Sequence, residues 1–256
     1  MGIEWRSDVE AGEWIVERLH PFAHDVGSVI PDGYEAYARL FHPVDDRSSQ
    51  PTRWSDLAHR NGRIVHPEMQ FHLVRTPVGA EPSRNLQDFV NELNWGSLPR
   101  PELAALAQVL EHHTDTPQAC WFAVWEGFGQ LHGTGVWLTK SGQPLDPAGP
   151  PPIAPPEVLA GPRLRMPNRH FLLLRGPLTE VADLHDDLGR QSPNLWWPDD
   201  RAWCVATEID FAWTYVAGTQ RLIDELLADR ALEALPVKLT DRFAIDSDQL
   251  NAALNP

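Results

Sequence analysis

Glu208 and Asp210 are the residues whose type and spacing most directly suggest chemistry. They lie in the run AWCVATEIDFAWTYV, residues 202–216, whose alternation predicts a strand. On a strand of period two, Val205, Thr207, Ile209, Phe211, Trp213 and Tyr215 share one face, and Cys204, Ala206, Glu208, Asp210, Ala212 and Thr214 share the other. The two carboxylates then stand about 7 Å apart, two residues at about 3.3 Å each. Such a pair suits a cation or a guanidinium, and its spacing falls in the roughly 5–9 Å range of the acid and base of glycosidases. The competing reading is a solvated outer face of an antiparallel sheet, where alternating polar residues belong in any case.

Just upstream, Trp196, Trp197, Asp199, Asp200 and Trp203 form a second candidate binding set. Indole faces beside carboxylates suit stacking on a sugar or holding a cation. The alternative is a Trp-capped core edge, with Pro198-Asp199-Asp200 making a turn. Trp121, Trp125 and Glu126 pose the same choice, and shared strand parity favours core for the two indoles. Among 11 histidines, His185-Asp186-Asp187 and His112-His113-x-Asp115 are the densest groups. Neither matches an established ligand spacing, so no metal is expected. Cys120 and Cys204 lie in apolar stretches without a CxxC and read as buried free thiols. The sequence has no GxSxG elbow, Walker loop, kinase signature or strand-linked GxGxxG, so no cofactor is expected either.

Charge narrows the partners. Lys and Arg total 21 against 36 Asp and Glu, a formal charge of −15, which repels phosphate backbones and anionic membranes. A basic protein or a small polar ligand is the expected partner, with no nucleic acid and no membrane. No run approaches the roughly 18 apolar residues of a spanning helix, and the first residues lack the pattern of a secretion signal, so a cytoplasmic protein is expected.

The elements that must position these residues are read from periodicity. Helices are predicted over 6–19, 84–94 (capped by Ser83), 101–113, 180–188 (capped by Thr179 and stopped by Gly189) and 220–230 (opened by Thr219). Strands are predicted over 34–42, 68–75, 119–125, 131–138, 170–175 and 202–216, with EGFGQLHGTG turning a hairpin between the third and fourth. Helices and strands do not alternate, which predicts an α+β fold: a largely antiparallel sheet with helices packed on it. Eight of the 21 residues in 142–162 are proline. Neither helix nor sheet ladder persists through such a stretch, so it reads as a Pro-rich surface loop within one domain spanning 1–256, or as the boundary if there are two.

Three segments, VGSVIPDGYEAYARLFHPV (26–44), CWFAVWEGFG (120–129) and WWPDDRAWCVATEIDFAWTYVAGT (196–219), resemble a family of uncharacterised bacterial proteins. The matched segments lie on both sides of the Pro-rich stretch, which favours one domain. The Ile30-Pro31-x-x-Tyr34 pattern and the aromatic-acidic turns also resemble the SUKH-type toxin-immunity superfamily, which implies a small α+β protein that binds other proteins. The expected function is a non-enzymatic binding or regulatory protein with an acidic, Trp-lined surface. The alternative is a hydrolase acting on a glycan or small polar substrate through Glu208 and Asp210.

Overall fold

The computed structural model describes residues 2–45, 51–89, 91–134 and 151–254. Among them nine strands form one sheet in which every pairing is antiparallel. They are β1 (Glu4–Arg6), β2 (Ala36–Phe41), β3 (Cys120–Trp125), β4 (Leu164–Met166), β5 (Arg169–Gly176), β6 (Leu195–Pro198), β7 (Cys204–Ala206), β8 (Trp213–Gly218) and β9 (Ala234–Val237). The order is β1-β5-β3-β6-β7-β8-β2-β9, with β4 also on β5. The fold is α+β, as the pattern of elements predicts. The sheet takes strands from both sides of 142–162. Of that stretch, 142–150 lies outside the described residues, and Pro156–Ala160 forms a short helix, α5.

Both faces of the sheet are covered, and strand parity sorts the side chains. Phe122, Leu172, Leu174, Trp196, Val205 and Val216 meet the amphipathic helices α4 (Arg100–Glu111), α6 (Val181–Asp187) and α7 (Gln220–Ala228). Leu103, Leu106, Ala107 and Leu110 form the buried stripe of α4, at the spacing one helix face requires. Each such leucine stabilises the fold by about 1.5–3 kcal/mol through burial. Thr219 caps α7 by accepting the Leu222 N–H at 3.2 Å. The opposite face carries Trp121, Leu173, Trp197, Cys204, Ala206 and Tyr215, covered by less regular chain containing α1 (Glu13–Glu17), α2 (Trp54–Arg60) and α3 (Phe71–Val74). On this face Arg39 is fully buried: its guanidinium lies 3.9 Å from the Trp213 ring centre and donates to Pro67 O and Met69 O at 2.7 and 3.2 Å. A final helix, α8 (Gln249–Ala252), is capped by Asp248.

Several expected elements differ, each for a tertiary reason. The strand expected at 68–75 contains α3 instead, because the Asp248 carboxylate accepts the Gln70 N–H at 2.9 Å and so caps that turn from a distant part of the chain. The same carboxylate receives His66 Nε2 at 2.6 Å and both the backbone and side-chain N–H of Asn251 at 3.0 Å, binding the chain's last described turn to 61–77. The helix expected over 6–19 is reduced to a 3-10 turn and the five residues of α1, pressed so close to the sheet that a Cβ on Gly12 would lie 2.5 Å from Leu164. Among the described residues of 84–94 only a 3-10 turn, Leu86–Phe89, forms. The strand expected over 131–138 begins in a 3-10 turn, Gly129–His132, and its residues 135–138 lie outside the described ones. β3 pairs instead with β5 and β6. Strands β1, β4, β6 and β9 carry too few residues for their alternation to stand out. Pro236 is accommodated because β9 is an edge.

Candidate functional site

The continuous strand expected over 202–216 is a hairpin. β7 ends at Ala206, the chain turns through Glu208–Phe211, where the Phe211 N–H donates to Glu208 O at 3.0 Å, and β8 returns from Trp213. The reversal corrects the two-face assignment. Ala206 pairs with Tyr215 and Cys204 with Ala217, so Trp213, Tyr215, Cys204 and Ala206 belong to one core, while Val205 and Val216 belong to the other. Glu208 and Asp210 therefore leave the sheet altogether and stand on a turn.

That turn faces the tip of the β4–β5 hairpin. Pro167 and Asn168 form a two-residue connection, with Asn168 at φ 62°, a backbone region Asn tolerates better than most residues. The next residue, Arg169, is thereby directed at both carboxylates: Nε donates to Glu208 Oε1 at 2.9 Å and Nη2 donates to Asp210 Oδ2 at 3.2 Å, while Nη2 also forms an ion pair with Glu208 Oε1 at 2.8 Å. Arg169 also rests on the Trp125 ring, 5.8 Å from its centre. Burial pushes the Glu208 carboxyl above the usual range, with Arg169 opposing the rise. Asp210 is largely exposed at the rim.

Behind this triad opens a cleft of about 220 Å³. Its walls are mainly apolar, including Met166, Phe171, Leu195, Phe211 and Phe243, with Phe22 at the mouth 66% exposed. The polar residues on it are few: Ser28, Asn168, Asn194, Thr207, the triad and His24. The Thr207 side chain turns to the opposite, helix-covered face of the sheet, where its Oγ1 lies 2.7 Å from Thr214 Oγ1, which lies 2.9 Å from His42 Nε2, while His42 Nδ1 lies 2.7 Å from Asn94 O. Burial lowers the His42 pKa to about 4, so the ring is neutral at neutral pH. No simple spacing in the sequence joins His42, Asn94, Arg169 and Thr207; the sheet brings them together.

The tryptophan and aspartate set is placed differently. Trp196, Trp197 and Trp203 are 1%, 1% and 0% exposed, so none offers a ring face to a ligand. Trp197 is covered by Trp14 and stacked on Trp121, at 6.2 and 6.4 Å between ring centres, whereas Trp196 packs on Phe122 and Trp203 across the sheet. Asp199 accepts Trp121 Nε1–H at 2.6 Å and pairs with Arg175. Asp200 accepts the Thr114 hydroxyl and the Asp115 N–H at 2.8 and 2.7 Å. These groups build the core and the turn that follows β6, and among the described residues no tryptophan lines the cleft. Both cysteines are buried free thiols, and burial pushes the Cys120 pKa up to about 12.

Among the described residues, no group of three or more His, Cys, Asp or Glu side chains is placed to hold a metal ion. No helix among them is long and apolar enough to cross a membrane. Comparison of the chain with family models, with curated proteins and with solved structures gives no match.

Proposed function

We propose that this protein is a non-enzymatic binding protein that takes a small, mainly apolar molecule into the cleft beside Arg169, Glu208 and Asp210. The observation that carries this reading is the cleft itself: about 220 Å³ walled by apolar side chains, with its charged groups gathered at one end. That is how small-molecule sites combine burial with orientation. A dry cavity of about 150 Å³ is enough for a benzene ring, so the size suits a ring with a short substituent.

A hydrolytic reading has one observation in its favour, the raised proton affinity of Glu208 beside a second carboxylate. Against it, a single guanidinium holds both carboxylates within 3.2 Å, which favours their charged forms together instead of separating an acid from a base.

Saturation-transfer NMR with indole and benzyl alcohol tests the binding reading. Transfer to at least one probe is expected, and it is lost in Val29→Trp, which places a large ring in the cleft wall. Absence of transfer, or equal transfer to the variant with native-like near-ultraviolet dichroism, overturns it.

A further inference from the structure

A second cavity adjoins the cleft on the same face of the sheet. It measures about 150 Å³ and is walled by Trp54, Phe71, Phe89, Trp95 and Trp213. Asp210, Phe211 and Phe243 belong to the walls of both spaces. The Phe211 and Phe243 rings meet at 4.7 Å between centres, so one pair of rings separates the two. Phe243 is tied to each side. Its N–H donates to His24 O at 3.1 Å, on the wall of the cleft, and its carbonyl accepts from Gln70 Nε2 at 3.4 Å, on the wall of the second cavity. Asp210, with a side chain 76% exposed, marks a rim common to both.

The second cavity has its own lining. Aromatic rings make up most of the wall, and among the described residues its polar members are Gln70, His72 and Asp210. The Gln70 amide nitrogen is engaged with Phe243 O and with Ser247 Oγ at 3.2 Å. Burial, with the nearby Arg84 charge, lowers the His72 pKa, so that ring is neutral at neutral pH. Inside its rim the cavity therefore offers ring faces and edges and no charge, which suits a flat apolar ring packed edge to face. Neither space alone reaches the roughly 300 Å³ from which small-molecule sites are usually built, and together they pass it.

We infer that the ligand has two ring-sized apolar lobes joined by a short polar linker, with one lobe in the cleft beside Arg169, the other in the second cavity, and the linker crossing the Phe211–Phe243 pair at the Asp210 rim. The linker is polar because it passes where Asp210 meets water, and covering that carboxylate with hydrocarbon would cost its hydration. A single ring fills one space and leaves the aromatic wall of the other without partner atoms. The inference rests on the binding reading above and extends its ligand by a second lobe.

Calorimetric titration of the full chain with N-benzylbenzamide and N-benzylacetamide tests it, since the two share a ring and an amide and differ in the second ring. The phenethylamide of hydrocinnamic acid and N-phenethylacetamide form a second pair with a longer linker. In at least one pair the two-ring amide is expected to bind at least about tenfold more tightly, a gain within reach of burying one phenyl group. Ile245→Trp places a large side chain in the wall of the second cavity from a position 41% exposed. In that variant, with native-like near-ultraviolet dichroism, the advantage should fall below about threefold. Nuclear Overhauser contacts of the bound two-ring amide should run from one ring to the Met166 methyl and from the other to the Leu93 or Ile245 methyls. A gain below about tenfold in both pairs, a gain kept in the folded variant, or no contact to Leu93 or Ile245 overturns the second lobe and leaves the cleft reading standing. Binding of none of the amides, with indole and benzyl alcohol also giving no transfer, overturns both.

Discussion

Burial of the His42 ring, reinforced by the nearby Arg39 charge and only partly opposed by the bond to Asn94, holds its pKa at about 4 against an ordinary 6.5. The unfolded chain takes up this proton as pH falls through 6.5, whereas the folded chain resists until about 4. The neutral histidine's contribution to stability is therefore complete above pH 6.5 and drains away as pH falls toward 4. At about 1.36 kcal/mol per unit, the difference amounts to about 3 kcal/mol. Urea midpoints measured between pH 4 and 7 should show this fall. In His42→Gln, which retains a donor and an acceptor but does not titrate, the part of the slope due to His42 should vanish; an unchanged slope would assign the acid sensitivity elsewhere.

The turn between β7 and β8 holds the site's carboxylates in place, and it is supported from outside the hairpin. Gly96 donates its N–H to Phe211 O at 2.7 Å, and its α-carbon lies so close that an added Cβ would stand 2.5 Å from Ile209 O. Its φ of 66° is also in the left-handed region, where a side chain is strained. Gly96→Ala must move backbone against backbone. We expect a loss of about 2 kcal/mol or more in urea unfolding, together with weaker saturation transfer to the cleft probes, because Phe211, Glu208 and Asp210 ride on the displaced turn. Amide shifts confined to 94–98 and 207–212 would locate the disturbance, and a variant as stable as the parent would show that the turn is not held by this contact. By contrast, α4 and α7 are stabilised mainly by their own amphipathic pattern and are not expected to respond.

Across the whole molecule the charge of −15 sets the electrostatic balance. The ion pairs at its surface include Arg100 with Asp183 and Asp186 and Arg75 with Glu92, each with exposed members. Such pairs contribute about 0–1 kcal/mol apiece, so they do not offset the self-repulsion of an excess of 15 acidic groups. Added salt should accordingly stabilise the protein: a rise in melting temperature is expected between roughly 0.02 and 0.5 M sodium chloride, where the Debye length shrinks from over 20 Å to under 5 Å. A falling melting temperature would mean that the attractive pairs outweigh the net charge.

The sequence by itself determined the elements whose pattern is local. The stripes of 101–113 and 220–230, the Thr219 cap, the Gly189 stop and the alternation of β2, β3 and β5 all follow from side-chain period and capping chemistry, and they suffice for an α+β fold with an antiparallel sheet. Glu208 and Asp210 were legible as a close pair of carboxylates for the same reason. What only the tertiary structure decided depends on partners far along the chain. A period of two continues unbroken through 202–216 whether the chain runs straight or turns back, so sequence parity could not reveal the hairpin that moves the acids off the sheet. Nor could an abundance of tryptophan distinguish a binding platform from a core: Trp196 and Trp197 are buried because a sheet covered on both faces buries both parities. Arg169 meets Glu208 and Asp210, and Thr207 meets His42 through Thr214, only because β5 and the β7–β8 hairpin are folded into the same sheet, and long-range pairing of that kind leaves no periodic trace in the residues that make it.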